Sequence, residues 1–244
     1  MYNEKDVQQA LALVTELSKE RKFTQSIDFA INFKNIDFKV PEHRVDLEVN
    51  LPNPIERTFK TVLFLKDKTL ISELKDKVDR IIGADEIPNL DKKQVKQIAS
   101  FFDLFFAEPA AMGLIGKHLG QILSPRGKMP KPIPMNANAI MTMITKASKS
   151  VKFSNKKGKN LPVVHSIVGT EKMSESQLTE NIMTVINGIM PLMTQGNQNI
   201  KSMYLKKTMG PAIKLGLKEN EIIELKQRLT EKENGKSAVE SDVK

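Results

Sequence analysis

Two short segments of the sequence combine cations with residues that restrict the backbone, a combination suited to binding phosphate groups. In the first, Ser124–Pro132, three prolines and a glycine exclude a helix and favour an extended loop. A rigid cationic loop loses less entropy on binding a phosphate backbone than a flexible one does. The candidate phosphate-binding residues of this loop are its cations, Arg126, Lys128 and Lys131. An ordinary proline-rich connection is the competing interpretation.

The second segment, Lys206–Pro211, begins with two lysines and ends an alternating stretch in a Gly-Pro turn. The Thr208 hydroxyl can donate to a 2′-hydroxyl or phosphate oxygen. Gly210 can adopt a positive φ and lets another backbone approach closely. A plain hairpin turn between two strands explains the same residues, so the segment alone does not decide between the two interpretations.

The charge of the chain is positive and unevenly distributed. Lysine and arginine number 38 against 29 aspartates and glutamates, which gives a formal net charge of +9. Residues 109–170 contain no carboxylate, although average composition predicts roughly seven, and residues 181–218 contain none either. Clustered cations without acids favour a polyanionic partner, nucleic acid first, over a merely solvated surface. The first window holds ten cations: Lys117, Arg126, Lys128, Lys131, Lys146, Lys149, Lys152, Lys156, Lys157 and Lys159.

Enzyme signatures are scarce. The chain has no cysteine, which excludes disulfides and thiolate metal sites, and it has neither a phosphate-binding loop motif nor a nucleophile elbow. His43, His118 and His165 lie far apart without metal-ligand spacing, so we expect no metal and no cofactor. No apolar run approaches the ~20 residues of a membrane span, so no membrane partner is expected. An enzyme acting on RNA or nucleotides is the alternative function, because catalytic triads are recognised by geometry and not by spacing.

The spacing of apolar residues follows two different patterns in different parts of the chain. Near both ends, apolar and polar residues alternate, which predicts antiparallel strands with one solvated face, at 26–34, 45–51, 151–153, 163–168, 200–207 and 211–215. Helices are predicted there at 5–20 and from Ser174, where Gln177 completes a capping box. In the middle, the unbroken apolar runs 62–65 and 104–106 favour buried parallel strands. They are interspersed with helical stretches around 70–79, 91–99, 109–120 and 137–147.

The sequence therefore predicts an α/β protein of two domains. Residues 1–60 and 149–216 form a discontinuous α+β domain with a half-solvated, mostly antiparallel sheet and helices. Residues 61–148 form an inserted α/β domain, a Rossmann-like three-layer arrangement around a parallel sheet. Residues 217–244 form a charged tail that is partly helical or disordered.

Four segments together resemble the ribosomal protein L-one family, the proteins of the large-subunit side stalk, in its archaeal form. They are Lys22–Ser26, Ser124–Pro132, His165–Gly169 and Lys207–Pro211, and the resemblance covers residues 5–216 in order. It implies two domains, the first assembled from both chain ends. It also implies a non-enzymatic structural protein of the cytoplasmic ribosome, present there as a monomer. The implied partners are large-subunit ribosomal RNA, exit-site tRNA during its release, and the protein's own mRNA, which it would repress.

The resemblance also carries over RNA-contacting residues position by position. Ser124 departs from the family, which usually has a glycine there. The recognition centre is expected at the Thr208–Gly210 turn beside Gln25 and Ser26, with Lys34 and Lys207 as peripheral charges. The full predicted set is Phe23, Gln25, Ser26, Lys34, His165, Ser166, Lys207, Thr208, Met209 and Gly210, together with Arg126, Lys128 and Lys131 of the proline-rich loop.

Overall fold

The computed structural model describes most of the chain as two compact units. The first, which we call the outer unit, consists of the chain up to Asn53 and again from Lys152. Pro54–Val151 form the other, which we call the inserted unit. Lys156, Lys157 and Lys159 of the acid-free window, and tail residues 228–244, lie outside the described residues. The described residues are 3–38, 40, 43–55, 58–75, 77–155, 161–193, 196–218 and 220–227.

The helices and strands follow one another along both units. The strands, in chain order, are β1 (Ser26–Phe33), β2 (Asp46–Asn50), β3 (Thr61–Leu65), β4 (Arg80–Gly83), β5 (Leu104–Ala107), β6 (Lys131–Pro132), β7 (Ser150–Ser154), β8 (Val163–Thr170), β9 (Ile200–Lys207) and β10 (Ala212–Lys214). The α-helices are α1 (Glu4–Glu16), α2 (Lys68–Leu74), α3 (Lys92–Phe101), α4 (Pro109–His118), α5 (Gly120–Leu123), α6 (Ala137–Lys149) and α7 (Glu175–Ile189). Residues 220–227 are also helical.

The outer unit is built on a four-stranded antiparallel sheet in the order β10-β9-β1-β8. The alternation predicted for β1 is confirmed, because Ile27, Phe29, Ile31 and Phe33 are buried and the residues between them are half-exposed. The buried face packs against α1 and α7. The opposite face of β1 presents Ser, Asp, Ala and Asn side chains, as expected for an antiparallel sheet that faces water on one side. β2 pairs with β7 in a separate two-stranded sheet.

Reciprocal caps determine where the helices of the outer unit begin. Ser174 N–H donates to Gln177 Oε1 at 3.1 Å, and Gln177 N–H donates to Ser174 Oγ at 3.4 Å. This confirms the capping box predicted at the start of α7. Asn3 and Asp6 form the same arrangement at the start of α1.

The inserted unit is built on a parallel sheet in the order β4-β3-β5-β6. β3 is buried along its whole length, because α3, α4 and α5 cover one face of the sheet and α2 and α6 cover the other. The predicted fold class, mixed α/β with one antiparallel and one parallel sheet, is confirmed. The helix expected at 70–79 ends at Leu74, and Arg80–Gly83 form a strand that the periodicity did not reveal, because four residues are too few to show a pattern.

Candidate nucleic-acid interface

The Thr208–Gly210 turn connects β9 to β10 and is bonded to the first residue of β1. Thr208 N–H donates to the Ser26 carbonyl oxygen at 3.1 Å. The Thr208 hydroxyl accepts from Ser26 N–H at 3.1 Å and donates to the Ser26 carbonyl oxygen at 3.3 Å. The sequence analysis expected this hydroxyl to donate to RNA. In the structure its single proton goes to Ser26, so Thr208 shapes the turn.

Gln25 supports the same turn from the protein interior. Its side chain is fully buried. The amide oxygen Oε1 accepts from Met209 N–H at 3.2 Å, and Nε2 donates to the Lys19 carbonyl oxygen at 3.1 Å. Because buried polar groups need partners, these bonds commit the amide to the protein itself. Gln25 was predicted as an RNA contact, and the structure gives its side chain a supporting position instead.

Gly210 occupies a place where no side chain fits. A Cβ atom there would collide with Ser18 Oγ and lie 3.2 Å from Ser18 Cβ. The predicted close approach of another backbone stays a prediction, because the atoms close to this position belong to the Ser18 side chain. The predicted positive φ is wrong, since the described glycines with positive φ are Gly127, Gly196 and Gly216. Space, and not backbone conformation, requires the glycine.

Lys207 faces the packed side of the sheet. The residue is only 8% exposed, and its Nζ lies 3.7 Å from Glu171 Oε2. The prediction that Lys207 is a peripheral charge is wrong, because this residue continues the inward row of Met203 and Leu205 along β9. Its neighbour Lys206 is exposed and therefore presents its charge to solvent.

Two large apolar side chains are exposed at this end of the sheet. Phe23, two residues before Gln25, is 51% exposed, and Met209, whose N–H bonds to Gln25, is 59% exposed. Exposed aromatic rings and flexible apolar side chains can pack against bases and riboses, a contact that hydrogen-bonding groups alone do not make. Phe23 and Met209 therefore keep their predicted accessibility.

The polar face of the sheet carries two of the basic residues together with one carboxylate. Lys206 on β9 lies opposite Asp28 on β1, and His165 on β8 is exposed opposite Ala30. Burial raises the pKa of the Asp28 carboxyl, while the nearby charges of His165 and Lys206 act to lower it. Ser166, next along β8, is half-buried and points to the opposite side of the strand, so of this pair only His165 lies on the polar face.

Lys34 lies away from the turn. It follows Phe33 directly, at the end of β1 opposite to Ser26. A strand rises ~3.3 Å per residue, which separates the two ends of β1 by roughly 25 Å. Lys34 is exposed, and its backbone bonds to Asn199, with Lys34 N–H donating to the Asn199 carbonyl oxygen at 2.8 Å.

The proline-rich loop belongs to the inserted unit, and two of its cations are bonded to the C-terminal part of α3. The last turn of a helix has carbonyl oxygens without helical partners, which cations satisfy well. Arg126 Nη1 donates to the Lys96 carbonyl oxygen at 3.2 Å, and Lys128 Nζ donates to the carbonyl oxygens of Ala99 and Phe102 at 2.9 and 2.6 Å. Lys131 is exposed in β6. The structure thus gives Lys128 a capping role at the end of α3 and bonds Arg126 to Lys96 and Ser100 of the same helix, neither of which the sequence analysis foresaw.

The alternative function, an enzyme, would bind its ligand at the edge of the parallel sheet in the inserted unit. In the structure a carboxylate of the protein occupies this position. Ligands of parallel α/β sheets bind beyond the carboxyl ends of the strands where the strand order reverses, which here lies between β3 and β5. There the Glu108 carboxylate accepts from Lys66 N–H at 2.7 Å and from Asp67 N–H at 3.2 Å. Glu108 is 4% exposed. Its own carboxylate therefore occupies the backbone amides that a phosphate would need.

Sequence reasoning missed Glu171 and Ser18, which complete the surroundings of the turn. Glu171 bonds to Gln25 across 146 positions of sequence, and no local pattern could reveal such a pairing. The inward direction of Lys207 could have been found, because strict alternation along 203–207 places it with Met203 and Leu205.

Comparison with known proteins shows the family of the chain. The sequence profile of the ribosomal protein L1p/L10e family matches residues 14–211. The chain belongs to this family. The large ribosomal subunit protein uL1 of Methanocella arvoryzae is 39% identical over 198 residues, covering 80% of this chain and 91% of the relative. The corresponding proteins of Methanothermobacter thermautotrophicus and Thermoplasma volcanium are 36% and 38% identical, over 87% and 86% of this chain and 99% and 96% of their own lengths.

Membership of this family confirms the resemblance read from the sequence, including its archaeal form. The chain is a ribosomal protein of the cytoplasm and not an enzyme. Within the described part of the chain, no helix is long and apolar enough to cross a membrane.

Proposed function

We propose that this protein is a structural constituent of the large ribosomal subunit and binds large-subunit ribosomal RNA at the side stalk. The RNA would contact the end of the outer-unit sheet, where the Thr208–Gly210 turn meets Ser26. The observation that carries the proposal is the rigidity of this turn, which Ser26 and Gln25 hold through backbone and side-chain hydrogen bonds. The relatives are named as proteins of the large subunit.

A surface ordered before it binds is suited to recognising folded RNA. Helical RNA is recognised mainly by its shape, its 2′-hydroxyls and its phosphates, and a surface that is already rigid loses little entropy on binding. Met209 in the turn is exposed. Phe23, which lies two residues before Gln25, the partner of Met209, is exposed as well. On the polar sheet face, exposed Lys206 supplies positive charge for phosphates, and exposed His165 supplies a ring that can form hydrogen bonds.

Two further partners follow from the family resemblance. Exit-site tRNA would be contacted as it leaves the ribosome, and the protein's own mRNA would be bound and repressed. An mRNA segment that competes for the turn must copy the shape of the ribosomal RNA site. The mRNA and a side-stalk RNA transcript should therefore displace each other from the full-length protein.

Crosslinking in cells, followed by identification of the bound RNA, tests the proposed function. We expect side-stalk segments of the large-subunit ribosomal RNA to dominate the crosslinked RNA, with contact sites in the outer unit. A Gly210→Val protein expressed to the same level serves as the control and should lose this enrichment. Crosslinks spread evenly over unrelated RNAs for the wild-type protein would contradict the proposal.

A further inference from the structure

A network of three side chains lies beneath the recognition turn, with Gln25 and Lys207 buried and Glu171, its centre, 24% exposed. Glu171 follows β8 directly, and its carboxylate accepts from Gln25 N–H at 2.9 Å through Oε1. Through Oε2 it accepts from Gln25 Nε2 at 3.4 Å and pairs with Lys207 Nζ at 3.7 Å. The Glu171 backbone is also bonded to Gln25, because Glu171 N–H donates to the Gln25 carbonyl oxygen at 3.0 Å.

The partners of Gln25 determine which way its amide points. An amide side chain has one oxygen that accepts and one nitrogen that donates. The Lys19 carbonyl oxygen and Glu171 Oε2 both accept, so the Gln25 nitrogen must face them. The oxygen is thereby left facing Met209 N–H, which it accepts at 3.2 Å. The direction of the amide, and with it the anchoring of Met209, is therefore set by two acceptors together, the Lys19 carbonyl oxygen and Glu171 Oε2.

We infer that Glu171 is a positioning residue of the RNA interface. It acts through Gln25, whose amide it orients so that Met209 and the following Gly210 are held in the shape that RNA contacts. This inference rests on the proposed function, because it names what sets the geometry of that same surface. Lys207 neutralises the carboxylate and has no part in orienting the amide, since it contacts neither Gln25 nor Met209 through a hydrogen bond within the described network.

The Glu171→Gln substitution breaks the pattern with almost no change in shape. One of the two carboxylate oxygens becomes an NH₂ group that donates. In one orientation it faces Gln25 N–H, and in the other it faces Gln25 Nε2, so a donor meets a donor in both. In the first orientation the Gln25 backbone N–H loses its acceptor, and in the second the Gln25 amide keeps only the Lys19 carbonyl oxygen as an acceptor. Either change loosens the position of Gln25, and with it the bond from Met209 N–H that holds the turn.

A matched pair of variants separates this role from the ion pair. Lys207→Met removes the charge partner and leaves both carboxylate oxygens in place, and the Glu171 side chain is 24% exposed, so water can solvate the charge that remains. The double variant Glu171→Gln, Lys207→Met differs from it at residue 171 alone, where it loses one acceptor oxygen together with the charge that Lys207→Met leaves unpaired. We expect Lys207→Met to keep the wild-type preference for a side-stalk RNA transcript over a duplex of equal length. We expect the double variant to lose about tenfold in that preference, the loss of one ordering hydrogen bond.

Hydrogen exchange of the Met209 amide, measured by NMR without RNA, provides the second readout. Exchange should accelerate in the double variant and stay as in the wild type in Lys207→Met. Equal exchange and equal RNA preference in the two variants would overturn the inference. Should the double variant not fold, Gln25→Met removes the Oε1 acceptor directly, and wild-type binding by that variant would also overturn it. A wild-type protein without preference for the side-stalk transcript would instead contradict the proposed function, and Met209 exchange would still decide the role of Glu171.

Discussion

The outer and inserted units both carry positively charged segments at loops, and they use these charges differently. In the inserted unit, Arg126 and Lys128 bind carbonyl oxygens of α3, both faces of the sheet are covered by helices, and Glu108 fills the crevice at its edge. In the outer unit, one face of the sheet stays polar and Lys206 points to solvent. The number of cations therefore does not predict where a nucleic acid binds. Exposed groups on a surface that hydrogen bonds hold rigid are the better indication.

The strongest test of this contrast substitutes a glycine in each unit. Gly210→Ala would place Cβ against Ser18, and overpacking costs ~1–3 kcal/mol, so side-stalk RNA affinity should fall roughly tenfold to a hundredfold. Gly113→Ala on α4 is the matched control, because its Cβ would meet nothing within 4 Å. That change should leave RNA affinity unaltered and stabilise the helix by ~0.5–1 kcal/mol. Binding titrations and thermal melts measure both, and equal RNA affinities for the two variants would remove the turn from the interface.

A smaller effect is expected from Thr208→Val, which keeps the shape of the side chain and removes its hydroxyl. Ser26 N–H then loses its acceptor, and a hydrogen bond left unmade costs ~1–3 kcal/mol. We expect specific RNA affinity to fall about tenfold while the slope of log affinity against log salt stays the same. A folded Thr208→Val protein with wild-type affinity would show that the turn is a plain hairpin.

Two lysine variants compare the units by salt dependence. Lys206→Gln removes an exposed charge from the polar sheet face, so the slope of log affinity against log salt should drop by about one unit with little change in specificity. Lys128→Gln removes the bonds to the Ala99 and Phe102 carbonyl oxygens, so it should cost the inserted unit ~1 kcal/mol of stability without changing the slope. Binding titrations at three salt concentrations measure this slope for each variant. The contrast between the units fails if Lys128→Gln changes the slope more.

The smallest expected effect concerns Asp28, the carboxylate between Lys206 and His165. Burial raises its pKa above the ordinary 3.8, so its charged form costs stability above the raised pKa, and that cost disappears below the ordinary value. Asp28→Asn should therefore raise the melting temperature slightly at neutral pH, with the gain vanishing as pH falls below 3.8. Melts of both proteins across this pH range measure it. A gain that grows at low pH would contradict the assignment.

Local patterns predicted those parts of the fold that depend on neighbouring residues. Alternation along 27–33 located β1 and its buried face, and Ser174 with Gln177 located the start of α7. Pairings across long stretches of sequence left no such trace. Glu171 meets Gln25 across 146 positions, and the closing of the crevice by Glu108 depends on the parallel sheet being formed. The sequence therefore predicted that the Thr208–Gly210 turn lies beside Ser26, and it did not predict the hydrogen bonds that hold the turn.

Lys207 shows why even a correct strand prediction can misplace a side chain. Lysine is rarely buried in proteins, which argues for an exposed position. Alternation argues for the inside, and the alternation prevails because Glu171 supplies a partner for the charge. Alternation alone therefore indicates the inward direction of Lys207, whereas its partner Glu171, 36 positions away in sequence, does not follow from the local pattern.

The central strand of the outer unit has both neighbours late in the chain, since β1 pairs with β8 and β9. Ser26 meets Thr208 across 182 positions, and at ~5–20 residues per second their syntheses are separated by roughly 10 to 35 s. During that interval the inserted unit is complete, while β1 waits without its partners. A nascent chain interrupted before Thr208 has no assembled turn, so the RNA binding that we propose for the turn requires synthesis to have passed Thr208.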